Sequence, residues 1–110
     1  MDLKYKIRKA LRESYGDFET DLESEYRDKI TEALLKEDIN NKKEWATYNQ
    51  VIIELKHNIK DSVKVRELLY RLTDKEDPKS ACIRVLEGVK SKSPELERLY
   101  YKIINFRGKY

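Results

Sequence analysis

Four carboxylates, Glu13, Asp17, Asp21 and Glu25, follow one another at intervals of four, the spacing that sets side chains along one surface of a helix. General acid and base chemistry needs two groups of different pKa in a concave pocket, and like charges in such a row normally stay solvated. The row also lacks the glycine turn of a calcium loop, so its reach is a loose attraction for divalent cations. The single imidazole, His57, has Glu54 three residues before it and Asp61 four after it. One His with two carboxylates makes a weak metal set without the second imidazole of most helical zinc sites, and His57 reads instead as a surface residue or a helix-end cation. Cys82 is the only thiol. Lying on an apolar stripe with no base partner, it reads as a small core residue, and its solitude excludes a disulfide framework and a multi-thiolate zinc site. Gly16, Gly88 and Gly108 stand apart, which leaves no phosphate-cradling loop, dinucleotide fingerprint or nucleophile elbow. No catalytic residue, metal ligand or cofactor is assigned, and an enzyme is not expected.

Binding chemistry is better represented. Lys4, Lys6, Arg8, Lys9 and Arg12 make a basic opening segment, and Arg98, Lys102, Arg107 and Lys109 interleave with Tyr100, Tyr101 and Phe106. Such groups suit phosphate contact and base stacking. The acidic stretch between them would repel a nucleic-acid backbone over any large footprint, so nucleic acid ranks second to a protein partner. The formal net charge of +3 conceals a division: residues 1 to 12 carry +4, residues 13 to 38 carry −7, and the two following portions, 39 to 76 and 77 to 110, carry +2 and +4. Opposed patches on one small body suit self-association or docking to a charged protein, because complementary potentials steer encounter and fix register.

The elements that position these groups follow from composition. The 110 residues contain only 3 Gly and 2 Pro, with 41% charged residues, which favours helices over a turn-rich β fold. The longest apolar run is Val51, Ile52, Ile53, too short for a membrane span, and the opening MDLKYKIRKAL is too charged for an export signal. A reducing, cytoplasmic location is expected.

Periodicity then divides the chain. Leu3, Ile7, Ala10, Leu11 and Ser14 set one helical face, ended near Tyr15 by Gly16; Asp17 can cap a second helix carrying Phe18, Leu22, Tyr26, Ile30, Ala33 and Leu34, interrupted at 38 to 41. From Glu44 the stripe Trp45, Tyr48, Ile52, Leu55 and Ile59 resumes. Asn58 and the Asp61, Ser62 pair offer a stop and a cap, with one long continuous helix as the alternative, before Val65, Leu68, Leu69 and Leu72. Asp77 with Pro78 and Ser93 with Pro94 each start a further helix, carrying Cys82, Val85, Leu86 and Val89, then Leu96, Leu99, Tyr100, Ile103 and Ile104. The expected fold is all-α, a single domain built as a compact antiparallel bundle of six or seven short helices. Residues 1 to 16 form an extra basic N-terminal helix, 17 to 104 the core bundle, and 105 to 110 a fraying tail.

The run LLKEDINNKKEW places Leu34, Leu35, Glu37, Asp38, Ile39 and Glu44 in order. The run KDSVKVRELLYRL places Leu68, Leu69 and Leu72 after an Asp, Ser start, and DPKSACIRVLEGVKSKSPELERLY supplies Leu86, Pro94, Leu96 and Leu99. Over residues 17 to 104 this pattern resembles a caspase-recruitment domain of the death-fold superfamily. It departs from that family in the basic helix at 1 to 16 and in Glu76, Asp77 and Pro78 where the family usually has Gly. The resemblance implies a noncatalytic adaptor assembling through complementary charged helix faces, often into open filaments. Basic candidates are Lys64, Arg66 and Arg71; acidic candidates are Asp28, Glu32, Glu37, Asp38 and Glu44. Two other readings are a small helical inhibitor or immunity-type protein that binds one target, and a nucleic-acid-binding protein that uses the basic first and last helices.

Overall fold

Three helix starts in the second half of the chain are built by one device. Asp61 Oδ1 accepts the backbone N–H of Lys64 at 3.1 Å, Asp77 Oδ2 accepts that of Ser80 at 3.2 Å, and Ser93 Oγ accepts that of Glu95 at 3.2 Å. Each cap satisfies one of the amides a helix start leaves without a partner, contributing about 1 kcal/mol. Pro78 and Pro94 follow two of these caps, where a missing N–H removes no intrahelical bond. The computed structural model describes residues 3–15, 21–36, 39–74 and 77–106. Its helices are α1 (Leu3–Tyr15), α2 (Asp21–Leu35), α3 (Ile39–Ile53), α4 (Ser62–Thr73), α5 (Pro78–Val89) and α6 (Pro94–Ile104), and no strand occurs among the described residues. The all-α bundle expected from the periodicity is the observed architecture. Gly16, Asp17 and Phe18, with their stop and cap roles, and residues 107–110 of the tail lie outside the described residues.

Two boundaries differ from those the sequence suggests. Helix α3 begins at Ile39 rather than Glu44. Asn40 and Asn41 fall in its first turn, where amides need no intrahelical acceptor, so their weak helix preference costs little there. At its other end α3 neither stops at Asn58 nor continues into α4. It widens into a π-helical turn, Glu54–Ile59, which ends at Lys60 in the left-handed region (φ 56°, ψ 37°). The amides of Lys60 and Asp61 both donate to the Leu55 carbonyl, the latter at 3.0 Å. A short 3-10 turn, Lys90–Lys92, joins α5 to α6.

The stripes of α3 to α6 form most of the core. Trp45, Tyr48, Ile52 and Leu55 from α3 and its π turn meet Val65, Leu68, Leu69 and Leu72 from α4, together with Cys82, Val85, Leu86 and Val89 from α5 and Leu96, Leu99 and Ile103 from α6. Helix α2 packs on α1, α3 and α4, contributing Tyr26, Ile30 and Ala33. Lys29 ties α2 to the end of α4 by donating to the carbonyls of Leu72 at 2.5 Å and Asp74 at 3.3 Å. A cation there complements the negative helix end. The expected face of α1 is largely unburied: Leu11 is buried and Ile7 half-buried, but Leu3 is 57% exposed and Ala10 is exposed. Packing chiefly against α2 alone, α1 can cover only a narrow seam. Ile104 is also largely outside the core, because α6 buries the narrower stripe Leu96, Leu99, Ile103.

Tyr48 is fully buried, its ring edge-on to Trp45 at 5.6 Å and to Phe106 at 5.9 Å between centroids. Its hydroxyl finds no hydrogen-bond partner among the described residues. Burial, with Cys82 and the carboxylates of Glu44 and Asp77 as neighbours, pushes the Tyr48 phenol far above its ordinary value near 10, and burial raises the Cys82 thiol well above 9. Both groups ionise more readily in the unfolded chain, so the stability present below pH about 9 is lost as pH rises through and beyond that range. Tyr48→Phe removes an unsatisfied buried hydroxyl and is expected to raise stability at pH 7 by about 1 kcal/mol. It should also lessen the alkaline loss above pH about 10. Urea midpoints of both proteins at neutral and alkaline pH check this; a lower midpoint for the variant at pH 7 would contradict it.

Candidate functional site

Leu22 and Glu23 at the start of α2, Lys56 and Lys60 from the π turn and its exit, and the first two turns of α4 enclose a half-open hollow of about 500 Å³. Its apolar lining is Leu22, Val63, Val65 and Leu69, and its polar lining includes Ser62 and Arg66. At the back, Lys56 Nζ donates to Glu23 Oε1 at 3.0 Å, with the Glu23 side chain 1% exposed and that of Lys56 16%. A second, shallower hollow of about 570 Å³ shares Leu22, Val63 and Arg66 and runs on along α4 past Glu67 and Tyr70 to Asp74. The outward stripe of α4 is therefore Val63, Arg66 and Tyr70, spaced three and four apart. Val63 and Tyr70 are 72% and 62% exposed.

The charged candidates occupy very different settings. Arg66 is exposed and has no ion-pair partner among the described residues, whereas Glu67 neutralises both neighbouring bases, accepting from Lys64 at 3.2 Å and pairing with Arg71 at 3.5 Å. Lys64 also lies over α5, with its Nζ 3.6 Å from where a Cβ on Gly88 would sit. On α2, Glu32 is exposed without an ion pair among the described residues, and Asp28 pairs with Arg8 of α1 at 3.1 Å. Glu44 is half-buried on α3. Glu37 and Asp38 lie outside the described residues. The structure thus places Arg66 on one outward stripe and Glu32, with Glu25 and Asp28, on another, while Lys64 and Arg71 are already partnered. The basic opening helix α1 lies on the acidic α2, where Arg8 pairs with Asp28, while Lys6 and Lys9 are exposed.

Other groups with chemical promise are engaged elsewhere. Glu54 accepts from Asn58 at 2.5 Å and from Ser93 Oγ at 2.9 Å, and Asp61 caps α4 and faces Lys92 at 3.7 Å, so neither is turned to the exposed His57. No cluster of three His, Cys, Asp or Glu side chains suited to a metal occurs among the described residues. Glu13 and Glu25 are exposed, while Asp17 lies outside the described residues. Cys82 is wholly buried and its thiol is held protonated by burial. On α6, Arg98 pairs with Glu95, whose carboxyl is lowered by that hydrogen bond, and the Phe106 ring packs on Tyr48. Lys90 Nζ sits 4.2 Å from the Tyr100 ring centroid. Tyr101, half exposed, is the ring of this group most open to solvent. Among the described residues no helix is long and apolar enough to cross a membrane.

Sequence reasoning missed Glu23, Lys56 and Lys60. A signal existed for Glu23: it lies three residues before Tyr26 and seven before Ile30, on the face both bury. The chain matches no protein-family model, no curated protein and no solved structure.

The two ends of the Glu23, Lys56 pair are unequal, because Lys56 can extend towards solvent whereas the Glu23 carboxylate cannot. Lys56→Met should therefore cost about 3 kcal/mol and Glu23→Gln clearly less, while Glu23→Leu with Lys56→Met should return close to the parent. Chemical denaturation of the four proteins checks the order, and equal losses in the two single variants would refute it.

Proposed function

We propose that the chain is a noncatalytic protein-interaction module, an adaptor of death-fold type that assembles through complementary charged helix faces. The observation that carries this reading is the outward stripe of α4, where the unpaired Arg66 guanidinium stands between the exposed Val63 and Tyr70. An arginine flanked by apolar and aromatic contact surface has the composition of a docking centre, since such residues dominate binding energy at interfaces. The complementary element is the stripe on α2 that carries the exposed Glu25 and Glu32, with Asp28 between them paired to Arg8. A face on α4 meeting a different face on α2 is a heterologous contact, which propagates into open assemblies unless its rotation closes. Docking of this kind needs no reacting group.

Charge reversal separates Arg66 from its neighbours. Arg66→Glu should weaken association at least about tenfold, Arg71→Glu much less because Glu67 already neutralises that base, and Arg66→Glu combined with Glu32→Lys should recover part of the loss. Light scattering after size exclusion, over a range of protein and salt concentrations, reads the outcome. Salt-sensitive growth beyond a dimer is expected; a strict monomer at every concentration would overturn homotypic assembly.

A further inference from the structure

We propose that the hollow between α2 and α4 is a binding site for a small molecule with an apolar chain and a single anionic head. Its volume of about 500 Å³ lies within the range of small-ligand sites, and its lining divides in the way such a molecule requires. Leu22 and Val63 offer apolar surface above the buried Val65 and Leu69, while the charges are gathered at the polar side. At the back, Glu23 and Lys56 neutralise one another. Towards the mouth, Lys60 and Arg66 have no ion-pair partner among the described residues, although the nearby Lys64, Arg71 and Lys92 all do. The hollow therefore carries an uncompensated positive charge above an apolar lining. A carboxylate or phosphate head suits that charge, and Arg66 can hold either through two parallel N–H donors.

The backbone points to the same place. Lys60 holds a left-handed conformation at the exit of a π-helical turn, a position where Gly would be at ease and a side chain is disfavoured. Isolated π turns and such backbone outliers collect at functional sites. Here the outlier is a lysine that lines the hollow. With the head between Lys60 and Arg66, the chain lies over Leu22 and Val63, with Val65 and Leu69 as the floor. A neutral ligand of equal length loses the charge contact, and a cationic one is repelled.

The test is titration of the isotopically labelled full chain with decanoate, decyl phosphate and decanol, each below its aggregation concentration, followed by amide shifts. Saturable shifts confined to the surroundings of Leu22, Val63 and Leu69 are expected with one or both anions, which identifies the head, and with decanol only at least about tenfold more weakly. Arg66→Gln should weaken anion binding by about tenfold or more while leaving the melting temperature unchanged. Lys60→Gly should weaken binding and raise the melting temperature together, since glycine relieves the left-handed residue. Equal binding of decanol and decanoate, anion affinity unchanged in both variants, or absence of saturable shifts would overturn the assignment. Saturation by a peptide of residues 22 to 36 but by neither anion would also overturn it, giving the hollow to protein docking instead.

Discussion

The ion pair between Glu23 and Lys56 is the contact on which the arrangement of the α2 and α4 side depends. It joins the start of α2 to the π-helical end of α3 from within, with the Glu23 carboxylate at a depth where a lone charge is costly. The chain reverses after this turn at Lys60, which holds the left-handed conformation. Asp61 then caps the new helix at once. At the opposite end of α4 the Lys29 ammonium, whose pKa is lowered by burial, holds the last carbonyls from α2. Lys29 thus ties the end of α4 to α2, while Lys56 ties the turn that precedes α4 to α2, and the cleft lies between these two contacts.

The charge asymmetry of the sequence is redistributed by folding. Its basic opening segment and acidic second segment read as opposite poles, yet α1 lies on α2 and part of the contrast is cancelled within the molecule by Arg8 and Asp28. What remains for a partner is a smaller set of charges. Arg66 and Glu32 have no ion-pair partner among the described residues, whereas Lys64 and Arg71 share the carboxylate of Glu67. A count of charges along a helix cannot distinguish these cases, because the decisive fact is which neighbour lies one turn away and which helix lies across.

Much of the bundle was legible because its signals are local. The Asp61, Asp77 and Ser93 caps and the prolines behind two of them are defined within a few residues, and the apolar spacings of α3 to α6 foretell the residues that are buried. The face of α1 was misleading because periodicity states which side can be buried, not how many helices are present to bury it. The cleft was invisible for another reason: Glu23 and Lys56 are 33 residues apart, and burial of a carboxylate depends on the tertiary arrival of its partner. Lys60 carried no backbone signal, since neither Gly nor Asn marks the left-handed position.

The caps at Asp61, Asp77 and Ser93 stand sixteen residues apart, and the helices they start are 12, 12 and 11 residues long. Three elements of nearly equal length, about 16 to 18 Å, are thereby joined by short links. Their mutual contacts span short stretches of chain, so the loop-closure entropy of this half is small. The contact between α3 and α6 instead encloses the whole α4 and α5 pair. The molecule therefore combines a half of low contact order with a longer-range closure of α6 onto α3.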